Sequence, residues 1–294
     1  MSKYKITGLT AIVPIHNEEM AVKKVLEDLK ACLSQSEIDW EIIAVNDGST
    51  DNSQERLETI DGIKILNHAV NRGYSASLKT GIKEARYEWI LIIDADGTYP
   101  VSAIPDFLAY AGDYDMVSGY RTGRHHDARW FGLQKLGKLI LRRLVSYVAG
   151  QKIKDINCGL RIFNKKASLE FWHLYPERFS FTTTSLTAFL SHGYTVKFLP
   201  IDYHPRQGKS GIRPLRDFYN FISLILKIAL FFRPLKVFAP ISFILFLIAL
   251  IVAVYSTVFL PKLLDTSVVL LFVSSLQTLF FGLLAALIVR GQNN

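Results

Sequence analysis

Cysteine is nearly absent from this chain. Only Cys32 and Cys158 occur in 294 residues, too few for a disulfide framework and in keeping with a reducing compartment. The opening residues, Met1-Ser-Lys-Tyr-Lys-Ile6, hold no long apolar run before the first polar break, so no secretory signal is expected. No Gly-x-Gly-x-x-Gly follows the first apolar segment, and no Gly-Lys-Ser/Thr phosphate loop exists. The pair Lys209-Ser210 lacks the glycine spacing and precedes a proline-containing segment. Dinucleotide redox chemistry and P-loop chemistry are thereby disfavoured. Charge is missing from residues 237–260 and again from 266–289. Each run is long enough to cross a bilayer core with some tilt.

What is present fits those absences. Half of the residues are hydrophobic, 50%, more than in a typical soluble domain, and the excess lies in the two uncharged runs. The residues before 236 suffice for one α/β domain with its own core. The net charge is +8, and most of it belongs to that domain, since the tail carries Lys236, Lys262 and Arg290 against Asp265. A basic surface attracts nucleic acid or anionic lipid. With two membrane spans attached, lipid headgroups are the expected partner and nucleic acid is not.

Apolar runs and helical periods alternate along the first part. Leu9-Thr-Ala-Ile-Val13 reads as a short buried strand, with Pro14 to Glu19 as a loop and helix start. A helical period runs from Met20 to Leu33, and Trp40 to Val45 is a second strand. Asn46-Asp47-Gly48-Ser49-Thr50-Asp51 is a turn cluster with ready helix caps. A helix over 52–59, a strand over 63–66 and a helix over 75–85 follow. Ile90 to Ile93 is then a fully buried strand that ends abruptly in Asp94-Ala95-Asp96. This βαβαβαβ order predicts a doubly wound, mostly parallel sheet. Asp94 and Asp96 would stand at the carboxyl end of a central strand, where such sheets bind ligands. Side chains two apart in an extended segment point the same way, so both carboxylates can face one hard cation carrying a phosphate. The plain alternative is a solvated turn.

Three stretches, Val13-Pro14-Ile15-His16-Asn17-Glu18-Glu19, Val45-Asn46-Asp47-Gly48-Ser49-Thr50-Asp51 and Asp94-Ala95-Asp96, resemble in order and spacing the nucleotide-sugar motifs of family-2, GT-A-fold inverting glycosyltransferases. Ser118-Gly119-Tyr120-Arg121, Asp155 to Arg161 and Arg206-Gln207-Gly208-Lys209-Ser210 resemble the polyprenyl-phosphate branch. That branch includes dolichol-phosphate mannose synthase and bacterial undecaprenyl-phosphate sugar synthases. The resemblance covers about residues 7–212 and implies a Rossmann-like GT-A domain, a nucleotide-sugar donor, a polyprenyl phosphate acceptor and a Mg²⁺ or Mn²⁺ ion. It implies that Asp94 and Asp96 hold the ion, Asp96 directly. Where relatives carry Leu-Gln after these aspartates this chain has Gly97-Thr98, which leaves the further ligand role to Thr98, to water or to nothing. Pro14 and His16 belong to the base-binding loop. Asp47 can accept a hydrogen bond from the base or cap the helix after it. Asn17 and Glu18 can touch ribose or phosphate or cap the first helix. Arg121, Lys135, Arg161, Arg206, Lys209 and Ser210 would gather the two anionic substrates, with Lys135 standing where relatives have Arg. Asp155 either orients a basic group or acts as a weak base. Cys158 is read as structural.

The layout expected is a catalytic domain over 1–212, an interfacial helix over 213–235 and a transmembrane hairpin over 236–294, spans about 237–260 and 266–289. Residues 133–149 carry Lys135, Lys138 and Arg142 on one helical face and read equally as a membrane-surface helix or an ordinary one. Arg233, Lys236 and Arg290 flank the open ends of the hairpin. The positive-inside rule then places both termini and the catalytic domain on the cytoplasmic side of an inner membrane. Gln277 offers a hydrogen bond to another helix, as in a homo-oligomer. A processive polysaccharide synthase is a rival reading, but such enzymes carry Gln-x-x-Arg-Trp, and here Arg129-Trp130 is preceded by His126. A non-catalytic membrane adaptor for a flippase has no need of the full aspartate and Arg206-x-x-Lys209 set.

Overall fold

In the computed structural model the described residues are 6–122, 150–176, 181–204, 233–259 and 265–291, with parts of 139–149 and residues 230 and 231. Seven strands form one sheet: β1 (Gly8–Ile15), β2 (Asp39–Asp47), β3 (Lys64–His68), β4 (Trp89–Ile92), β5 (Met116–Thr122), β6 (Arg161–Asn164) and β7 (Val196–Asp202). Their order is β3-β2-β1-β4-β6-β5-β7. The first four are mutually parallel, as the alternation of apolar runs and helical periods predicts. β6 runs antiparallel to both β4 and β5, a reversal with no counterpart in the sequence reading. From β1 the chain winds outward through β2 to β3, then returns to place β4 on the other flank of β1. That is the switch point at which open α/β sheets bind ligands.

The helices follow from their apolar spacing. α1 (Val22–Ser34) buries Val22, Val25, Leu26, Leu29 and Leu33 against the sheet, a 3.6-residue stripe. Burying one such side chain is worth roughly 1.5–3 kcal/mol, so this stripe fixes the helix in place. α2 (Ser53–Glu58) and α3 (Tyr74–Glu84) return the chain after β2 and β3. α4 (Ile104–Tyr110), α5 (Lys165–Glu170) and α6 (Phe181–Ser191) complete the layers.

β1 is longer than expected. It extends to Ile15, so Pro14 lies inside a strand and not in a loop. The missing proline N–H costs nothing there. The carbonyl of Ile12 accepts from Ile93 N–H, so Pro14, two residues on, faces the same flank, where β4 has already ended at Ile92.

The chain divides into two compact units, Met1–Phe218 and Tyr219–Asn294. The second holds α7 (Pro234–Phe259) and α8 (Asp265–Gly291). Both contain a segment long and apolar enough to cross a membrane. They pair through Ser242, whose hydroxyl donates to the Ser275 carbonyl at 2.8 Å, and Ser275, whose hydroxyl returns the bond to the Ser242 carbonyl at 3.0 Å. Ser242, Ala249 and Ser256, seven residues apart, are buried while Phe243, Ile251 and Phe259 are exposed. Small residues thus line the seam between the helices and large apolar ones face outward, as lipid requires. Gln277 is on the exposed side of α8.

Candidate active site

The loops after β1 and β2 are bound to one another. His16 Nδ1 meets the Asp47 carbonyl at 2.9 Å. Asn17 takes a left-handed conformation, φ 56°, alone among the described non-glycine residues. Its side-chain oxygen accepts from Thr50 N–H at 2.8 Å while its own N–H donates to Ser49 at 3.1 Å. Glu18 N–H donates to Ser53 at 2.9 Å. α1 begins after Ala21 with no side-chain cap, so Asn17 does not cap it but braces the second loop.

Asp47 is buried and accepts three hydrogen bonds. Arg72 N–H at 2.8 Å and His68 Nδ1 at 2.6 Å meet Oδ1, and Gly73 N–H meets Oδ2 at 2.7 Å. The helix-cap alternative for Asp47 is therefore corrected. It holds the turn that opens α3, not α2, because the loop after β3 lies beside β2 at the same sheet edge. A carboxylate accepts about four hydrogen bonds, so Asp47 keeps capacity for one more donor. His68 also reaches Thr80 Oγ1 at 2.9 Å, which fixes its ring.

The two aspartates after β4 differ in their surroundings. Asp94 Oδ1 accepts the Tyr74 hydroxyl at 2.8 Å. Its other oxygen packs on Gly159, where an added Cβ would sit 2.5 Å from Oδ2. Asp96 is 8% exposed, and its Oδ1 accepts Thr98 N–H at 3.1 Å and the Thr98 hydroxyl at 2.6 Å. Gly97 makes the turn between them possible with φ +71°. Thr98 is fully buried, and its hydroxyl proton is committed to Asp96. Its observed part is to orient that carboxylate. Among the described residues no three His, Cys, Asp or Glu side chains cluster to hold a metal. Two carboxylates with oxygens from a substrate diphosphate and water are what a small hard cation takes. The donor set therefore fits Mg²⁺ or Mn²⁺, and a zinc-type site does not.

Arg121 and Asp155 form a fork. Nε donates to Oδ2 at 2.7 Å and Nη2 to Oδ1 at 2.9 Å. Burial pushes the Asp155 carboxyl up, but the Arg121 bonds and charge outweigh it and hold the pKa at about 2. Burial opposes the Arg121 charge too, yet Asp155 keeps the guanidinium above its usual range. Of the two roles left open for Asp155, the geometry shows the orienting one, and so low a pKa makes a poor base. Arg121 also lies over the Tyr203 ring, 5.3 Å from its centre.

Arg161 departs from expectation. It is fully buried, with Nη1 donating to the Thr182 carbonyl at 2.7 Å and to Ser185 Oγ at 3.1 Å, and Nη2 to the Cys158 carbonyl at 2.6 Å. Burial lowers its pKa. As the first residue of β6, an interior strand between β4 and β5, it faces the interior and is a structural arginine, not a phosphate contact. Cys158 is structural as expected. It is fully buried, and desolvation, with the nearby Asp155 charge, pushes its thiol up to about 12.

Lys135, Arg206, Lys209 and Ser210 lie outside the described residues, as do Lys138 and all of 213–229, where the interfacial helix is expected. In the stretch over 133–149, Arg142 is exposed and Val145 buried on described helical turns. The sequence reading did not single out His68, Arg72, Gly73, Tyr74, Tyr99 or Gly159. A signal existed for some: Asn71-Arg-Gly-Tyr74 is a turn between a strand and a helix, at the edge where the aspartates already pointed.

The geometry is that of a GT-A sheet edge with paired acidic loops, and comparison with known proteins agrees. The model of glycosyl transferase family 2 matches residues 10–172, and that of the GtrB C-terminal hairpin matches 233–290. The chain belongs to glycosyl transferase family 2. It is 30% identical over 169 residues to an undecaprenyl-phosphate 4-deoxy-4-formamido-L-arabinose transferase of Proteus mirabilis, covering 55% of this chain and 50% of that one. The chain thus spans about half the length of that relative. It is 27% identical to a dolichyl-phosphate beta-glucosyltransferase of Trichomonas vaginalis, over 76% of this chain and 74% of the other. With a dolichyl-phosphate hexose transferase of Haloferax volcanii it shares 25% identity over 73% and 90% of the two chains. Among solved structures, glucosyl-3-phosphoglycerate synthase from Mycobacterium tuberculosis, in complex with Mn²⁺, UDP and glucosyl-3-phosphoglycerate, superposes with a TM-score of 0.58 at 14% identity, over 76% of this chain and 79% of that one. The two apolar C-terminal helices, matched by the model of the GtrB C-terminal hairpin, suggest a membrane protein of that family.

Proposed function

We propose that this chain is a membrane-anchored inverting glycosyltransferase. It moves one hexose-type sugar from a nucleoside diphosphate, UDP before GDP, to the phosphate of a polyprenol such as undecaprenyl or dolichyl phosphate. The observation that carries the reading is Asp94 and Asp96 held at the end of β4, at the switch point beside the interlocked loops of His16–Glu19 and Asp47–Ser53. Relatives whose names specify sugar transfer to polyprenyl phosphates support the acceptor.

In this reading Asp47, braced by His68 and the Arg72 and Gly73 amides, takes the base. Pro14, His16, Asn17 and Glu18 shape the adjoining wall. Asp96, oriented by Thr98, and Asp94 would hold Mg²⁺ or Mn²⁺, which stabilises the charge that grows on the leaving diphosphate. The acceptor phosphate, with a second pKa near about 6, is largely anionic at neutral pH. It attacks the sugar C1 from the face opposite the diphosphate, the C1–O bond to the diphosphate breaks, and the nucleoside diphosphate departs. No proton must be removed from that nucleophile, which suits the low pKa of Asp155. Arg121, aimed by Asp155, steadies one phosphate, and Lys135, Arg206, Lys209 and Ser210 complete the anionic pocket. The catalytic domain lies on the cytoplasmic face of an inner membrane, to which the two apolar C-terminal helices anchor the chain. Both termini are cytoplasmic, and Gln277 serves contacts between copies in a homo-oligomer.

The test incubates the full chain in membranes with undecaprenyl phosphate and a panel of labelled nucleotide sugars, with and without EDTA. One donor should yield a lipid-extractable product, and EDTA should abolish it until Mn²⁺ or Mg²⁺ is restored. No lipid-linked product from any donor would sink the reading, and full activity in EDTA would remove the metal. Gly159→Ala probes the same site from behind. Its Cβ would press on Asp94 Oδ2, and a shift of about 1 Å can cost about 10²-fold in rate. Transfer within twofold of wild type would show that Asp94 needs no such wall.

A further inference from the structure

Tyr74 is the first residue of α3 and donates its hydroxyl to Asp94 Oδ1 at 2.8 Å. The residue before it, Gly73, donates its N–H to Asp47 Oδ2 at 2.7 Å. Carboxylates from two different strand ends thus grip consecutive residues of one turn. On the far side of Asp94, Gly159 leaves no room for a Cβ, and the Gly159 N–H is itself bound to the Tyr99 hydroxyl at 2.8 Å. An aspartate χ2 is a broad, roughly two-fold rotor. Here a donor on Oδ1 and the Gly159 backbone close against the whole carboxylate, both oxygens included, select one orientation.

We propose that Tyr74 is a positioning residue for the donor diphosphate, acting through Asp94 and tying that carboxylate, by way of Gly73, to Asp47. The base-binding and diphosphate-binding ends of the site then move as one unit. This rests on the donor reading above. Tyr74 acts on the metal and diphosphate only through the carboxylate it orients. Partners of this kind behind metal-binding groups are typically worth about 10–100-fold in metal affinity or activity.

The experiment compares full-length wild type with Tyr74→Phe, Asp94→Asn and the double variant in detergent. Binding of UDP, and of GDP in parallel, is measured with Mn²⁺ by calorimetry, and donor and acceptor KM are measured separately. Tyr74→Phe should weaken nucleotide–Mn²⁺ binding and raise donor KM by about 10–100-fold, with acceptor KM within about twofold. The double variant should be no worse than Asp94→Asn alone, because groups that act through one another are not additive. Binding within about twofold of wild type, or a double variant that falls by the product of the single effects, overturns the proposal. So does failure of Tyr74→Phe to fold, which would make the hydroxyl structural. A wild type that binds UDP with Mn²⁺ but glycosylates no polyprenyl phosphate contradicts the proposed function and not this inference. One that binds no nucleotide overturns both.

Discussion

Asp96→Ala should lower sugar transfer by about 10³-fold or more. Removing one preorganised electrostatic contact from a developing oxyanion typically costs about 10²–10³-fold, and a divalent ion adds several kcal/mol of charge stabilisation. Asp96 is the carboxylate whose orientation is set most locally, by Thr98 N–H and hydroxyl on the same oxygen. Its loss removes the ion's anchor and leaves the Thr98 hydroxyl without its acceptor. Thr98→Val should give a smaller loss in the same direction, about 10-fold, by freeing Asp96 to rotate. Measuring initial rates at saturating acceptor, with donor and Mn²⁺ varied, checks both. Turnover of Asp96→Ala within a few fold of wild type would mean that the ion is held elsewhere.

Asp155→Asn should be the most destabilising of the conservative changes at this site. The side chains of Arg121 and Asp155 are only 12% and 7% exposed. Taking the charge from one member leaves the other buried and unpaired, at a cost of about 3–5 kcal/mol. For a unit of roughly 200 residues, each kcal/mol is worth about 2–4 °C in Tm, so a fall of around 10 °C is expected. The pH dependence follows from the sign of the shift. The folded pKa of about 2 lies below an unfolded value near about 3.9. The stability Asp155 contributes is therefore fully present above about pH 4 and lost as pH falls toward about 2, on the order of 2–3 kcal/mol. The asparagine variant should lose that part of the acid limb. A variant whose acid unfolding and Tm match wild type would show that the fork contributes little.

Much of the parallel half of the fold could be read from the chain because its signal is local. Uncharged β-branched runs such as Ile90–Ile93 cannot sit on a solvated face, and α1 shows its stripe at Val22, Val25, Leu26, Leu29 and Leu33. The antiparallel β6 was not legible, since strand direction depends on which distant segment pairs with it. Pro14 was misplaced for a related reason. A proline argues against a strand until the early end of β4 is known. In the site, the aspartates stand out because carboxylates closing an apolar strand are unusual. The groups that aim them do not. Tyr74, Thr98 and His68 are ordinary residues until folding sets their hydroxyls or ring against Asp94, Asp96 and Asp47. Arg161 shows the converse. As a basic residue in a motif it looked like a phosphate ligand, and only its burial beneath the Cys158 and Thr182 carbonyls reveals a core role.

The most direct test is the identity of the two products made by the purified full-length chain from its preferred nucleotide sugar and undecaprenyl phosphate. Mass spectrometry of the lipid and chromatography of the nucleotide read both in one reaction. Equal amounts of a polyprenyl monophosphate carrying a single sugar and of nucleoside diphosphate, in a ratio that does not change with time, are predicted. A nucleoside monophosphate with a diphosphate-linked lipid, or a growing sugar polymer, would contradict it.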